Sequence, residues 1–297
     1  MSQSEAWTVQ RLLEWTTDYL KKHGSEASRL EAEILLAHSL SLKRIELYTN
    51  FDEIPDEKAL ARFRDLVKRR GSGEPVAYLT GYKEFYSLDF EVNSAVLIPR
   101  PETEQIVLEV VELIKKRKET DSNSTFQILD IGTGSGNIAI ALAKNLPGAE
   151  LTAVDISEKA LELARKNAKK HKMEDRIHFI QSDLFSALDL TREFDIIVSN
   201  PPYVKESEYR NLDPMVRNFE PKEALLAGPD GTEIIFRLVR DAVPFLKKGG
   251  KILIEMSPMI IHQVGDFMRE DPHWGEIQIL RDFARLERII VAVRSDL

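Results

Sequence analysis

The chain contains no cysteine. This absence excludes disulfide bonds, thiol nucleophiles and metal sites built from thiolates. The histidines are also few, and none of them forms the i, i+4 pair that binds a metal from one face of a helix. They lie at positions 23, 38, 171, 178, 262 and 273. We therefore expect no bound metal.

Long apolar runs and an excess of basic residues are missing as well. No run reaches the length of about 18 residues that a membrane-spanning helix needs. The N-terminal residues carry Glu5, with Arg11 as the only early basic residue, which argues against a signal or transit peptide. We expect a cytoplasmic protein without membrane contact. The net charge of −8 also predicts no direct nucleic-acid binding, because such binding rests largely on Lys and Arg contacts to phosphates.

The N-terminal part has a helical pattern. Apolar residues recur at helical spacing from Trp7 to Arg70, which predicts a small all-α bundle. Trp7 and Trp15 are eight residues apart, and we expect them on one helical face in its core. The run from Gly71 to Pro75 breaks the helical pattern. Partial alternation of apolar residues between Tyr78 and Ile98 then indicates a β-hairpin.

The remaining chain alternates between strand and helix patterns. A helix is predicted from Gln105 to Lys116, followed by a polar break from Glu119 to Thr125. The candidate strands that come next are Phe126–Ile131, Glu150–Asp155, Ile177–Gln181, Phe194–Ser199 and Lys251–Met256. This alternation predicts an α/β fold with a parallel sheet covered on both faces, and ligands bind beyond the carboxyl ends of such strands. Two final runs, Glu276–Leu280 and Arg288–Val293, are too close for a crossover helix and predict an antiparallel pair.

A glycine-rich turn joins the first of these strands to a helix predicted at Asn137–Asn145. The turn reads Gly132-Thr133-Gly134-Ser135-Gly136. Glycines let a ligand approach the backbone and present amides at a helix N-terminus. Taken alone, the motif suits a dinucleotide, S-adenosylmethionine or a simple tight turn. The G-x-G-x-G spacing and the lack of a Gly-Lys-Ser/Thr sequence favour S-adenosylmethionine.

Carboxylates follow the neighbouring strands. Asp155 ends the second strand, where its side chain is placed to accept from both ribose hydroxyls. Asp183, followed by Leu184, comes after the third strand and is a candidate for binding an adenine amino group. Each of the two aspartates has an alternative interpretation as a helix N-cap. We expect Asp130 to orient the glycine loop, and Glu255, without an obvious partner, to be structural.

The sequence Asn200-Pro201-Pro202-Tyr203 directly follows the fourth strand. Proline fixes φ and donates no hydrogen bond, so the Asn200 side-chain oxygen and nearby carbonyls form a set of acceptors for an NH2 group. Tyr203 is placed to stack on a flat substrate. The alternative is an ordinary strand-ending turn. Together with the glycine loop, the motif predicts methyl transfer to a planar nitrogen.

These motifs resemble those of a known family, the N5-glutamine methyltransferases of peptide-chain release factors, or HemK/PrmC family. The resemblance spans about residues 73 to 295, and the stretch Ile98–Glu104 is its most specific part. The matching segments are Gly73–Gly81 with Glu84-Phe85, Leu97–Glu104, Asp130–Gly136, Val154–Ser157, Ser199–Tyr203, Phe219–Pro221 with Ala224-Leu225, and Gly228–Gly231. One departure concerns local backbone geometry: Met256-Ser257-Pro258 follows Glu255, where the family has Ile-Gly and a nearby Gln.

The resemblance implies a Rossmann-like, seven-stranded, S-adenosylmethionine-dependent methyltransferase domain. It implies methylation of the Gly-Gly-Gln glutamine of class I release factors by direct in-line transfer. Pro99, Arg100 and Glu102 would help to close the substrate pocket. The implied segments are a helical bundle for release-factor recognition at 1–73, a linker with the β-hairpin at 74–96 and the methyltransferase domain at 97–297. We expect a monomer.

Two rival functions share some of these features. A nucleic-acid base methyltransferase uses the same Asn-Pro-Pro-Tyr sequence on an extruded base, but the acidic charge argues against it. The second rival is a cofactor-binding regulator that has lost activity, and the intact Asn200 and Tyr203 argue against that.

Overall fold

The computed structural model describes residues 6–120 and 125–297, and for Glu119 and Thr120 it describes only the backbone. The chain forms two compact units. The first contains the described residues up to Tyr82 together with Asp213–Phe219, and the second contains the other described residues. The division into functional segments at 1–73, 74–96 and 97–297 stays a prediction.

The helices are named in chain order. They are α1 (Val9–Lys22), α2 (Ser28–Leu40), α3 (Glu46–Thr49), α4 (Glu57–Gly71), α5 (Val76–Thr80), α6 (Glu104–Thr120), α7 (Asn137–Asn145), α8 (Glu158–Lys170), α9 (Glu206–Tyr209), α10 (Pro214–Phe219), α11 (Glu233–Ala242) and α12 (Ile261–Arg269). Within residues 6–120 and 125–297, no helix is both long enough and apolar enough to cross a membrane.

The strands are named in the same way. They are β1 (Tyr82–Phe85), β2 (Leu88–Glu91), β3 (Phe126–Ile131), β4 (Ala149–Asp155), β5 (Ile177–Gln181), β6 (Phe194–Ser199), β7 (Val204–Lys205), β8 (Leu226–Gly228), β9 (Leu246–Glu255), β10 (Trp274–Arg281) and β11 (Glu287–Arg294).

The predicted helical bundle is confirmed by α1 to α4. Side-chain caps begin two of its helices: Thr8 Oγ1 accepts from the Arg11 amide at 3.4 Å and Asp56 Oδ1 accepts from the Ala59 amide at 2.7 Å. The apolar faces of the helices meet in one core that includes Leu13, Leu35 and Phe63, all of them buried. The short helix α5, directly after the Gly71–Pro75 break, was not predicted.

The expectation for the two tryptophans was wrong. Trp7 is 37% exposed and Trp15 is 49% exposed. Trp7 precedes the cap of α1 and is not helical, so the eight-residue spacing does not run along one helix. Trp15 lies off the stripe of α1 that includes the buried residues Leu13 and Leu20. The two rings instead meet edge-on at the surface, with their centroids 6.2 Å apart.

The second unit is built on a seven-stranded sheet with the order β10-β11-β9-β6-β3-β4-β5. The strands from β9 to β5 in this order are mutually parallel. β11 pairs antiparallel with both β9 and β10, which confirms the predicted antiparallel pair. The sheet has the seven strands and the Rossmann-like parallel order that the family resemblance implies.

The central parallel strands β3, β4 and β6 are largely buried on both faces. Along β6, Ile196 and Val198 pack into one apolar cluster with α6 and α7. Ile197 points to the opposite side and packs into a second cluster with α11 and α12. This alternation follows from the period of two along a strand. It explains why β6 reads as a continuous apolar run in the sequence.

Several boundaries differ from the predicted ones. α6 continues to Thr120, so Glu119 and Thr120 are helical, and the rest of the predicted polar break up to residue 124 lies outside the described residues. β9 begins at Leu246 and not at Lys251, because the segment before Lys251 still pairs with β6, through an irregular register near Phe194. This extension contains the polar residues Lys247 and Lys248, so it does not show the apolar pattern that predicts a strand.

The predicted hairpin is formed by β1 and β2. Its two-residue turn consists of Tyr86 and Ser87, which have φ values of 50° and 58°. Both residues therefore adopt the left-handed conformation of a type I′ turn, a conformation that usually takes Asn or Gly. The carboxylate of Glu104, at the start of α6, accepts from the Tyr86 amide at 2.9 Å. This hydrogen bond ties the turn to the start of α6.

Candidate active site

The sheet brings the two principal motifs together. Ile131, the last residue of β3, pairs with Ser199, the last residue of β6. The Ser199 hydroxyl also donates to the carbonyl of Ile131 at 2.8 Å. Gly132 and Asn200 therefore leave the sheet from paired positions on neighbouring strands. The prediction that the fourth strand lies beside the first is correct.

The glycine loop has the backbone that its sequence requires. Gly132, Gly134 and Gly136 have φ values of 72°, 56° and 80°, a region that side chains with a Cβ rarely adopt. A Cβ on Gly132 or Gly134 would meet no heavy atom within 4 Å, whereas one on Gly136 would lie 3.0 Å from Ile140 Cδ1. The first two glycines thus border open space, and the third packs closely against the protein.

Two carboxylates hold this loop. Asp130 is fully buried and accepts from the Thr133 hydroxyl at 2.7 Å. Burial raises the pKa of Asp130 to about 7. Its other oxygen is buried and has no partner among the described residues. The expected role of Asp130 in orienting the loop agrees with these contacts.

Asp155 contacts the loop from the end of β4. Its Oδ2 accepts from the Gly134 amide at 2.8 Å and its Oδ1 accepts from the Ser157 amide at 2.9 Å. Burial raises the pKa of this carboxyl. The alternative in which Asp155 caps α8 is wrong, because Ser157 is the N-cap and accepts from the Ala160 amide. Each carboxylate oxygen keeps a further lone pair for a ribose hydroxyl.

Asp183 and Leu184 follow β5 in an irregular turn. Leu184 has a φ of 50°, which is unusual for a branched side chain and typical of functional sites. Asp183 is half exposed and pairs with Arg237 at 2.9 Å. No helix begins after Asp183, so its N-cap alternative is wrong. An exposed ion pair of this kind contributes only about 0–1 kcal/mol and is readily exchanged for another partner.

Asn200-Pro201-Pro202-Tyr203 forms the loop between β6 and β7. Pro201 is buried, whereas the other three are partly exposed. Asn200 Nδ2 donates to Thr103 Oγ1 at 3.1 Å. The amide oxygen of Asn200 is therefore the end that does not bond to Thr103. Burial, together with the charge of Glu255, raises the pKa of Tyr203 to about 12. The phenol is therefore neutral at physiological pH and presents an uncharged ring.

The buried carboxylate of Glu220 holds the segment Pro99–Glu102 in place. Glu220 accepts from the Ile98 amide at 3.1 Å and from the Arg100 guanidinium at 2.6 Å. Pro99 is buried, and Glu102 lies partly exposed in the short 3-10 turn Pro101–Thr103. The structure thus places Arg100 in an ion pair within the protein. Direct substrate contact by this segment stays a prediction.

Sequence reasoning missed the contacts of Thr103, Glu220 and Glu255. All three side chains are buried. Glu255, expected to lack a partner, lies beside the Thr103 side chain, which lowers its pKa, but burial outweighs this effect and raises the pKa to about 7. Thr103 and Glu220 lie within segments that carry the family resemblance. Their location in these segments was the sequence signal that could have identified the two residues.

The departure at Met256-Ser257-Pro258 forms a local turn before α12. Met256 is buried, and its amide donates to the Arg288 carbonyl at 2.9 Å. The Ile260 amide then donates to the Ser257 carbonyl at 3.1 Å. These residues therefore form the turn after β9, and Glu255 stays in the strand.

The loop and Asp155 together provide open space and hydrogen-bond acceptors. Open space at Gly132 and Gly134 suits a ligand that lies against the backbone. Asp155, at the end of β4, has carboxylate oxygens that can accept further hydrogen bonds. In the described part of the chain, no group of three or more Asp, Glu, His or Cys side chains is arranged for a metal ion.

Comparison with known proteins agrees with this architecture. Residues 11–81 match the model of the PrmC N-terminal domain, and residues 112–220 match that of the methyltransferase small domain. The catalytic domain of hMettl16, in complex with MAT2A 3′UTR hairpin 1, has a similar fold. Its TM-score is 0.57 at 14% identity, with 84% of each chain covered. At this identity the likeness concerns the fold alone.

Two relatives are similar over nearly their whole length. The release factor glutamine methyltransferase of Koribacter versatilis is 39% identical, covering 96% of this chain and 98% of the relative. The release factor glutamine methyltransferase of Rhodopirellula baltica is 52% identical over 289 residues, which are 97% of either chain. On the strength of these full-length similarities, the chain belongs to the release factor glutamine methyltransferase family.

Proposed function

We propose that this protein methylates the side-chain amide nitrogen, N5, of the glutamine in the Gly-Gly-Gln motif of class I release factors. The methyl donor is S-adenosyl-L-methionine. The names of the full-length relatives support the release factor and the glutamine. The Gly-Gly-Gln motif and the in-line mechanism follow from the resemblance and from the chemistry of the site.

The orientation of the Asn200 amide carries the proposal. Its Nδ2 is engaged by Thr103 Oγ1, so the oxygen is the end available to a substrate. Pro201 has no N–H, and the backbone beside Asn200 offers only its carbonyl there. Asn200 Oδ1 and the Pro201 carbonyl therefore form a pair of acceptors for the two hydrogens of a carboxamide.

Positioning must provide most of the catalysis. A carboxamide nitrogen is a weak nucleophile because its lone pair is delocalised, as the ~18–20 kcal/mol rotation barrier of the related peptide bond indicates. Holding reactants in the correct geometry lowers a barrier by roughly 7–11 kcal/mol. Bound S-adenosylmethionine supplies an electrophilic methyl group on a sulfonium. In this proposal Asn200 and Pro201 hold the nitrogen in line with that methyl, and the neutral Tyr203 ring stacks on the amide plane.

The other residues bind the two ligands. Gly132, Thr133, Gly134, Ser135 and Gly136 hold the cofactor through their backbone. Asp155 accepts from the ribose, and Asp183 with Leu184 contacts the adenine. Pro99, Arg100 and Glu102 line the substrate side. Asp183 would exchange Arg237 for the adenine amino group, a small cost because that pair is exposed.

The acceptor pair also explains substrate choice. A glutamate or an ester lacks the two N–H groups and leaves both acceptors unpaired. Sites that recognise a substrate N–H or O–H by buried polar groups reject the analogue without it by about 10⁴-fold or more. We expect discrimination of this order against a Gly-Gly-Glu factor.

The N-terminal segment has a separate role in this proposal. Residues 1–73 recognise the release factor, and residues 74–96 act as the linker. The bundle has its own apolar core, and the motifs that bind cofactor and amide all lie outside it. The protein acts as a cytoplasmic monomer, without binding nucleic acid directly.

The test is a methyl-transfer assay with labelled S-adenosylmethionine. The acceptors are a class I release factor, the same factor with its Gly-Gly-Gln glutamine replaced by alanine, bulk DNA and bulk RNA. We expect label on the intact factor alone. Asn200→Ala should abolish transfer, and Asn145→Ala, an exposed asparagine on α7, should not change it.

The other outcomes separate the rivals. Label on nucleic acid would support a base methyltransferase. Cofactor binding without transfer to any acceptor would support a regulator. Label on the alanine factor would place the methyl group at another residue.

A further inference from the structure

Glu255 has no role in the mechanism described above, yet it is buried beside the active site. Its side chain lies at the end of β9, and its backbone pairs with Ile289 of β11. The Thr103 side chain lies beside it and lowers its pKa, against the larger effect of burial. Its Oε2 has no partner among the described residues. A carboxylate that is buried without full hydrogen bonding lowers the stability of the fold.

The Thr103 hydroxyl links this acid to Asn200. A hydroxyl has one proton to donate and two lone pairs that accept. When the proton is donated to Glu255, Thr103 Oγ1 acts only as an acceptor toward Asn200. The contact at 3.1 Å must then be made by the NH2 end of the Asn200 amide, because two acceptors would repel each other.

We propose that Thr103 and Glu255 are positioning residues that determine which end of the Asn200 amide faces the substrate. This proposal rests on the proposed function and deepens it. The ionised Glu255 fixes the direction of the Thr103 hydroxyl, and the hydroxyl fixes the amide with its oxygen toward the substrate. The buried acid thereby acts on the reaction without contacting either reactant.

Protonation of Glu255 would reverse the chain of hydrogen bonds. A neutral carboxyl donates to Thr103, whose own proton then turns toward Asn200 and favours the amide oxygen there. The substrate would then meet an NH2 group in place of an acceptor. The charged groups that act on Glu255 are Arg288 on β11 and Arg100 and Glu102 before α6, with the Tyr203 phenol close by. With its pKa at about 7, Glu255 changes charge within the physiological range.

The experiment compares three variants with the wild-type protein in release-factor methylation. Thr103→Val removes the hydroxyl, Thr103→Ser keeps it, and Glu255→Gln cannot ionise. The matched control is Thr16→Val, because Thr16 is equally buried and its hydroxyl has no partner among the described residues. Thermal unfolding and S-adenosylmethionine binding by calorimetry establish that each variant is folded and binds the cofactor.

We expect Thr103→Val to lower kcat by about 10- to 100-fold, the usual effect of removing a group that orients a reacting side chain. KM for the release factor should change much less. Thr103→Ser should restore most of the activity, and Thr16→Val should match the wild type. The kcat of the wild type should rise with pH through about 7. The Glu255→Gln variant should lack this rise.

A second readout reports amide orientation directly. A Gly-Gly-Glu release factor presents a carboxylate, which an inward Asn200 oxygen repels and an inward NH2 group attracts. Inhibition by this factor should therefore strengthen in Thr103→Val relative to the wild type. A merely distorted pocket would weaken the binding of both factors.

Three results would overturn the positioning role. They are a full kcat in Thr103→Val, a loss that Thr103→Ser does not restore, and the same pH dependence in Glu255→Gln as in the wild type. Failure of the wild type to methylate the factor is a separate result. It would overturn the proposed function and this inference with it.

Discussion

The guanidinium of Arg100 donates to the buried carboxylate of Glu220 at 2.6 Å. The side chain of Glu220 is 2% exposed and that of Arg100 is 33% exposed. The two residues are distant in the chain and belong to different motifs of the family. Because Glu220 also accepts from the Ile98 amide, one carboxylate holds the whole segment that is proposed to line the substrate side.

Removal of Arg100 should therefore destabilise the protein. Arg100→Ala leaves the Glu220 carboxylate buried without its ion-pair partner, and we expect a loss of about 1–3 kcal/mol, reduced from the cost of a fully buried pair by the exposure of Arg100. Glu220→Gln keeps an acceptor for the Ile98 amide and should lose less. Urea unfolding of both variants measures the difference. The KM for the release factor should rise more in Arg100→Ala, and an equal rise in both variants would remove Arg100 from the substrate site.

The glycine loop offers a matched pair of substitutions. Gly136→Ala places a Cβ 3.0 Å from Ile140 Cδ1 and 3.2 Å from Ala164 Cβ, and should destabilise the fold by about 1–3 kcal/mol. Gly134→Ala meets no heavy atom within 4 Å and should cost only about 1 kcal/mol of backbone strain. Its methyl group enters the proposed cofactor space, however, so the Kd for S-adenosylmethionine should rise at least about tenfold. Calorimetric titration and thermal unfolding separate these effects, and unchanged affinity in Gly134→Ala would place the cofactor elsewhere.

Asp130 should make stability depend on pH. Its pKa in the folded protein is raised to about 7 from 3.8, so the folded state binds a proton that the unfolded state releases. The resulting stability is fully present below the ordinary aspartate pKa and is lost as pH rises through about 7. Asp130→Asn removes this dependence. Urea unfolding gives the free energy of unfolding of both proteins. We expect the wild-type value minus the variant value to fall by about 1 kcal/mol per pH unit between the ordinary pKa of 3.8 and the folded-state pKa of about 7. A constant difference would mean that Asp130 is ionised in the fold.

The hairpin turn should be improved by a glycine. Ser87 is exposed and has a φ of 58°, a conformation that costs a residue with a Cβ about 1–2 kcal/mol. Ser87→Gly removes this strain at some cost in unfolded-state entropy, so we expect a gain of about 0.5–1 kcal/mol. Ser94→Gly, at an exposed residue without a positive φ, should destabilise by a similar amount. Urea unfolding of the two variants compares them, and a loss in both would show that the turn is not strained.

Local patterns were enough to predict the strands that position the site. β3 and β6 have the predicted bounds because both of their faces are buried, and mainly apolar runs mark them. The edge strand β5 also has its predicted bounds, although it is only partly buried. The sequence alone therefore places Asn200 and Gly132 at neighbouring strand ends. The extension of β9 over Lys247 and Lys248 is not apolar, so the sequence pattern did not predict it.

The contacts that orient the site could not be read in this way. Thr103 and Glu255 come together only after α6 and β9 have packed. A local sequence pattern does not show which side chains, distant in the chain, will be neighbours. The same holds for Arg100 and Glu220. The tryptophans failed for a different reason, since spacing predicts a face only when both residues belong to one helix, and Trp7 does not.

The place of β11 in the sheet has a consequence for synthesis on the ribosome. β11 is the last strand along the chain, but it lies inside the sheet between β9 and β10. Until residues 287–294 have emerged, β9 exposes a row of unpaired backbone groups, and such an edge invites pairing with other chains. Glu255 gains its neighbour Ile289 only at this step. The sheet is therefore completed only after all of its other strands have been synthesised, because its last strand in sequence is an interior one.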